Sequence, residues 1–349
     1  MRPRNRVVVI GVDTHADTHT AAAVDAFGRI LDTIEVPATP AGYRQLLGWA
    51  RRLGRVQRAG VEGTGAYGAG LARFLTGHGI TVIEVNRVNR QHRRRHGKSD
   101  PADAEAAARA VLSGQATGIA KVTTGRVEAV RVLHVTRRSA VKAKTQTANQ
   151  ITNLVLTAPE PLRSQLRVMS STKRIRAAAR WHTTPVTDPT TATRTAIRSL
   201  ARRWLALHDE IRDLERELTT LLTQICPRLL AQRGVGIDVA AKLVIAAGEN
   251  PERLRNESSF AALCGVSPVD ASSGKHTHHR LNRGGNRQAN NALHTVMLVR
   301  ARHCPETRAY IQRRREQGLP TRDIQRCLKR ALARRFHHII IQDLTTPLT

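Results

Sequence analysis

Aromatic residues are scarce in this sequence: Phe, Trp and Tyr make up 3% of 349 residues. A core must therefore be assembled from Ala, Val, Leu and Ile, and a hydrophobic content of 40% supplies enough of them for a sizeable one. Cysteine is rarer still. Cys226, Cys264, Cys304 and Cys327 stand far apart with no C-x-x-C pair, which argues against a zinc ribbon or a disulfide framework and fits a reducing compartment. Long apolar runs are missing too, since Val239–Gly248 is short and interrupted by Lys242. The opening MRPRNRVVVIGV runs directly into a strand pattern and lacks the features of a cleaved signal. A soluble, intracellular protein with no membrane association is expected, cytoplasmic and close to the nucleoid.

Acidic residues are outnumbered, 27 against 57 Lys and Arg, for a formal charge of +30. Genomic base composition can explain part of the Arg and Ala richness. The remaining excess destabilises a compact chain unless a polyanion neutralises it, so nucleic acid is the expected partner. The length suits two or three domains.

Residues 6–36 read as three strands, Arg6–Asp13, Thr18–Asp25 and Arg29–Val36, joined by turn residues such as Ala26-Phe27-Gly28. A helix from Pro40 to about Leu53, a strand Val56–Glu62, a helix Ala66–His78 and a strand Thr81–Val85 follow. A further helix starts at Ser99-Asp100-Pro101 and ends near Gly114. The order βββαβαβα predicts a mixed sheet flanked by helices, the order of an RNase H-like fold. Residues 91–98 are basic. Arg126 to Leu156 reads as a basic helix, and 157–192, with four prolines and many threonines, as a loop or linker. From about Thr195, the apolar residues Ile197, Leu200, Trp204, Leu207, Ile211, Leu214, Leu218, Leu221 and Ile225 alternate steps of three and four, the seam of a coiled coil. That seam pairs with a helix of the same or another chain, or else packs as a long helix on its own domain. The expected domains are 1–118, then a helical and coiled-coil segment 119–226 with its linker at 157–192, then a mainly α region 227–349.

Four acids stand out. Asp13 ends the first strand and Glu62 the fourth, and these strands can be neighbours in a mixed sheet. Asp100 and Asp103 share one face of a helix that Pro101 initiates. Converging carboxylates repel unless cations sit between them, and hard divalent ions, Mg²⁺ or Mn²⁺, suit oxygen ligands. Two ions roughly 3.5–4 Å apart would activate an oxygen nucleophile and stabilise the leaving oxygen of a phosphodiester. Taken singly, the same residues serve as caps, dipole partners or turn residues. Asp17 falls in a turn and ranks below them.

Three basic segments complete the reading. Arg233, Gly234 and Gly236 form a G-x-G turn before an apolar helix, which either presents N–H groups to a phosphate or merely joins helices. In SPVDASSGKHTHHRLNRGGNRQANN, Ser273-Gly274 is surrounded by Lys275, His276, His278, His279, Arg280 and Arg283. Cations around a hydroxyl favour its attack on phosphate, while the bland alternative is a loop that only grips backbone. The histidines have no cysteine or carboxylate at zinc-ligand spacing. The tail, with Arg313–Arg315 and Lys329, Arg330 and neighbours, forms a surface for nucleic-acid phosphates.

The segments GVDTHADTHTAAAVD, AGVEGTGAYG, KSDPADAEAAARA, GVGIDVAAKLVIAAGEN, ALCGVSPVDASSGKHTHHRLNRGGNRQANNALH and CLKRALARRF occur in order across nearly the whole chain. Together they resemble the DEDD-type insertion-sequence transposases, relatives of the pilin-gene invertases. The resemblance implies a RuvC-like domain with metal and catalytic residues Asp13, Glu62, Asp100 and Asp103, a coiled-coil segment, and a transposase domain with a catalytic serine. It maps that serine to Ser273, with Ser272 the adjacent alternative in register. It further implies dimers or tetramers, DNA ends and target as substrates, and a noncoding bridge RNA as guide. Other classes remain to be told apart. A Holliday-junction resolvase would use the acids and water alone and cut junctions without Ser273. A sugar-kinase or actin-like ATPase, whose first hairpin GVDTHADTHTAAAVDAFGRIL resembles, would bind ATP, against which the charge and missing phosphate loops speak. An inactivated DNA-binding relative would lack activity despite intact acids.

Overall fold

The computed structural model describes residues 6–85, 99–182, 185–272, 279–282 and 284–346; the basic run 91–98, Ser273, Lys275 and Arg283 lie outside them. Two compact units divide the chain, residues 1–125 with 247–255, and residues 126–246 with 256–349.

In the first unit, strands β1 (Val7–Thr14), β2 (Thr18–Asp25), β3 (Ile30–Pro37), β4 (Arg55–Glu62) and β5 (Thr81–Val85) form one sheet in the order β3-β2-β1-β4-β5. β2 runs antiparallel to both β1 and β3, and β4 and β5 are parallel to β1. β1 and β2 are almost wholly buried, β1 as its near-continuous apolar run implies. Side chains alternate between faces. Val8, Ile10 and Val12 join a core with Leu46 and Trp49 of α1 (Pro40–Leu53) and Leu71 and Leu75 of α2 (Ala69–Gly77). Val9, Val24, Ile83 and Val85 pack instead on Ala107, Ala108 and Val111 of α3 (Asp100–Leu112). Thr39 caps α1 by accepting the Gly42 N–H, and Pro40 begins the helix.

Two glycines set the depth of α3. Gly11 and Gly60 are partners across β1 and β4. A Cβ on Gly11 would stand 2.1 Å from the Ala104 carbonyl oxygen and 2.2 Å from the Ala108 nitrogen. One on Gly60 would stand 2.8 Å from the Ala107 oxygen. The alanine stripe of α3 therefore lies backbone to backbone on the sheet. The far edge of the sheet is closed by residues 118–120, where Glu84 donates its N–H to the Gly118 carbonyl, and by the segment 247–255. Asn250 accepts from the Val122 N–H and donates to the Ala120 carbonyl, and the Arg253 guanidinium donates to the Ile119 and Ala247 carbonyls.

The second unit is helical apart from one short hairpin among the described residues. α4 (Arg126–Leu156) pairs with part of the same chain. α5 (Leu162–Arg167) and α6 (Ser171–Ala179) occupy the segment expected to be a linker. Its prolines and threonines mark helix ends, while Leu162, Leu166, Ile175 and Ala178 bury against Ile151, Val155, Ile197 and Ala201, a tertiary pattern too short to read locally. α7 (Pro189–Ile225) begins earlier than expected, with Asp188 and Thr191 forming a reciprocal cap. It packs on α4 within the chain. Ile197, Ile211, Leu218 and Ile225 are buried, whereas Leu200, Leu207, Leu214 and Leu221 are half-buried. Arg137 of α4 donates to Glu215 of α7.

The remaining elements are α8 (Pro227–Leu230), α9 (Ile237–Ala247), α10 (Glu257–Leu263), β6 (Pro268–Asp270), β7 (His279–Leu281), α11 (Arg287–His303), α12 (Pro305–Glu316) and α13 (Thr321–Thr345). Buried Asp343 of α13 accepts from the Leu229 N–H at 3.0 Å and from the Arg228 guanidinium at 3.2 Å, fastening α13 to the start of α8. No described helix is long and apolar enough to cross a membrane.

Because main-chain atoms fill the space above Gly11, Gly11→Ala must displace α3. We expect a loss of about 3 kcal/mol, read as a lower urea midpoint. An unchanged midpoint would show that α3 adapts freely.

Candidate active site

The sheet explains how residues far apart in sequence meet. Parallel β1 and β4 bring their C-terminal ends side by side, with Val12 opposite Val61, so that Asp13 and Glu62 occupy adjoining ends. The Thr14 hydroxyl donates to the Glu62 carbonyl at 2.9 Å and ties the two ends together. Each acid follows a glycine by two residues, in Gly11-Val12-Asp13 and Gly60-Val61-Glu62, and so belongs to the strand face on which α3 lies. α3 places Ala104 and Ala108 over Gly11, and its first turn carries Asp100 and Asp103. A carboxylate in the first turn is favoured by the N–H groups and dipole of that helix end.

Asp13 and Asp100 come together with His15. The His15 Nε2 stands 3.3 Å from Asp13 Oδ2 and 3.5 Å from Asp100 Oδ1. One ligand atom from each of the three residues lies within 4.8 Å of the others. Nε2 is itself buried and makes no hydrogen bond to any described group. A nitrogen in contact with two carboxylates, without a hydrogen bond to any described group, fits a ligand of a divalent cation. An imidazole in the donor set suits Mn²⁺ better than Mg²⁺, which favours oxygen. Asp103 is buried one turn along α3 and Glu62 half-buried at the β4 end. Neither belongs to the three-residue group. Asp17 is exposed in the β1–β2 turn.

His15 was missed by sequence reading. Its signal was present, an imidazole two residues beyond a strand-end aspartate in Asp13-Thr14-His15. Nearby His19 is fully buried, stacks on Tyr43 at 5.7 Å, and is held below the ordinary histidine value, chiefly by burial.

In the second unit, β6 and β7 pair antiparallel, with Val269 opposite Arg280 and Asp270 opposite His279. The connection between them carries Ser272 and, outside the described residues, Ser273 and Lys275. The Ser272 hydroxyl and N–H both donate to Asp270 Oδ1, at 2.5 and 2.9 Å, and these bonds hold the Asp270 carboxyl below its usual range. The hairpin base is fixed by close backbone contact. A Cβ on Gly285 would meet the Gly265 Cα at 2.3 Å, and Asn290 donates to the Cys264 and Gly265 carbonyls. Burial pushes the Cys226 and Cys264 thiols up to about 12, which disfavours either as a nucleophile.

The G-x-G turn has a structural task. Gly234 adopts φ +86° where the chain passes Val296 and Val299 of α11. Exposed Arg233 donates to the His303 carbonyl, and exposed Gly236 precedes α9. Asp238, in the first turn of α9, faces His134, Arg137 and Lys242. Hydrogen bonds from His134 above all, then Lys242, hold its carboxyl well below the usual range. Arg280 is exposed on β7, and Lys329 and Arg330 are half-buried on α13.

A mixed sheet with flanking helices, followed by a mostly helical region, matches an RNase H-like domain joined to a helical transposase domain. Residues 10–158 match the IS110-type DEDD transposase family (Transposase), and residues 226–312 match the family Transposase IS116/IS110/IS902. Together the matches span about two thirds of the chain, and by them it belongs to the IS110/IS902 family of DEDD-type transposases. No curated protein matches the chain.

Two outcomes follow. Mn²⁺ titrated into the protein and followed by paramagnetic resonance should bind, and His15→Ala, Asp13→Asn and Asp100→Asn should each weaken it by more than about tenfold, or 1.4 kcal/mol. Undiminished binding in all three would exclude this site. In the second unit, the depressed Asp238 carboxyl contributes stability that is present above the ordinary value of 3.8 and lost as pH falls through its lower folded value. Asp238→Asn should lower the melting midpoint by roughly 2–4 °C at neutral pH. The gap should narrow on acidification, and a gap independent of pH would refute the linkage.

Proposed function

We propose that this chain cuts and rejoins DNA strands as an insertion-sequence recombinase, using the acidic site of Asp13, Glu62, Asp100 and Asp103, joined by His15, together with Ser273 as nucleophile. The observation that carries this reading is the meeting of Asp13, His15 and Asp100 at the strand ends, around a buried imidazole nitrogen without a hydrogen bond. A bound divalent ion would supply Lewis-acid stabilisation of charge developing on phosphate oxygens. Asp13, His15 and Asp100 would hold it, with Glu62 and Asp103 beside them.

The Ser273 Oγ attacks the phosphorus of a phosphodiester and loses its proton to solvent as the bond to the leaving sugar oxygen breaks. The sugar hydroxyl of another strand then attacks the phosphoserine and restores the serine. One phosphoester bond forms for each one broken, so no further reactant is needed. Ser272 suits a turn role, because its hydroxyl and its N–H serve the same Asp270 oxygen. The acid site and Ser273 serve the same reaction in this reading. The formal charge of +30 supports DNA as substrate and accommodates a second polyanion. The guide RNA, and dimers or tetramers assembled through the long helices, rest on the family resemblance. Domain limits at 118 and 226 belong to the same reading.

Incubation with a nicked DNA substrate, followed by denaturing gel and peptide mapping, should trap a covalent adduct on Ser273. Ser273→Ala should abolish it and Ser272→Ala retain it. The opposite pattern would move the nucleophile to Ser272. Full metal-dependent junction cleavage by Ser273→Ala would instead identify a resolvase acting through the acids and water.

A further inference from the structure

Between the β6–β7 hairpin and α13 lies a cavity of about 560 Å³, within the range of roughly 300–1,000 Å³ usual for small-ligand clefts. Five permanent cations line it, Arg280, Arg326, Lys329, Arg330 and Arg334, against one carboxylate, Asp323. Asp323 pairs with Arg326, and Glu257 is shared by Arg330 and Arg334. Two carboxylates therefore serve five cations. Among the described residues, the buried Arg330 Nη1 has no hydrogen-bond partner, and the Lys329 ammonium meets only the neutral Asn290 carbonyl, at 3.1 Å. Burial foremost, then Arg326, lowers the Lys329 pKa. Val266, Pro268 and Ala331 add apolar surface to the same lining.

We propose that this cavity seats one phosphodiester and its attached nucleoside from an unpaired nucleic-acid strand. Uncompensated cations call for phosphate, and the apolar surface calls for a base or sugar face. In a duplex that face is stacked and paired, and the double helix is too wide to enter a cleft of this volume. The proposal rests on the recombinase reading in one respect, that the chain handles nucleic acid, and adds where and in what form a strand is held.

Cys327 supplies a reporter, because it lines the cavity and is exposed, while the other three cysteines are buried. The full chain is treated with uncharged N-ethylmaleimide, and labelling of the Cys327 peptide is timed by mass spectrometry. A short oligo-dT or oligo-U should slow labelling by on the order of tenfold at low salt, with protection fading as salt rises. The two oligomers distinguish DNA from RNA as the occupant. Arg280→Gln with Lys329→Gln should remove most of that protection, read as the ratio of protected to unprotected rate within the same variant. Equal protection by inorganic phosphate at the same phosphate concentration, or protection by duplex alone, would overturn the proposal. If the oligomers bind, by fluorescence anisotropy, yet Cys327 labels at its free rate, the cavity assignment falls and the recombinase reading stands. If no oligomer or duplex binds at all, both fall.

Discussion

The contact of α3 with Gly11 and Gly60 is the constraint on which the acidic site depends. Any side chain larger than hydrogen at Gly11 would overlap the main chain of Ala104 and Ala108. With none there, the helix settles onto two adjacent parallel strands, and its first turn carries Asp100 and Asp103 on the sheet face to which Asp13 and Glu62 belong. The same two-residue step that leaves room for the helix also sets each strand-end acid on that face. Packing and chemistry thus share one register, and a one-residue slip of either strand would lose both.

Concentrating acids at one sheet edge is costly in a folded chain, and the local structure offsets part of that cost. The α3 N-terminus favours nearby negative charge. Elsewhere the chain uses its few acids as fasteners for a cation-rich surface. Asp238 gathers His134, Arg137 and Lys242, Glu257 gathers Arg330 and Arg334, and Asp343 takes Arg228 and a helix start. Each holds together elements distant in sequence. Where these fasteners run out, as along α13, positive charge is left to attract a polyanion.

Much of the first unit was legible in the residues. Strand β1 is a near-continuous apolar run and turn residues mark the strand ends, so strand limits followed from local chemistry, while β1 and β4 were expected only as possible neighbours. His15 was overlooked because a histidine after a strand has many ordinary roles, and only the α3 carboxylate approaching from 85 positions downstream makes it a ligand candidate. The helices at 162–179 were overlooked because each is too short for periodicity to show, and their stability comes from Ile151, Val155 and Ile197. The return of residues 247–255 to the first unit has no compositional mark, since it depends on two side chains, Asn250 and Arg253, bonding to carbonyls of 119–120.

By itself the sequence determined the order of strands and helices along the first unit, the long helices and the cationic character, because periodicity, turn chemistry and charge act over short spans and need no partner. Tertiary structure alone decided which acids meet, that His15 joins them, that α7 lies on α4 of its own chain, and that five cations of the second unit enclose a cavity with too few carboxylates. Those outcomes depend on backbone approach and on distances between remote residues, and no local pattern encodes a distance.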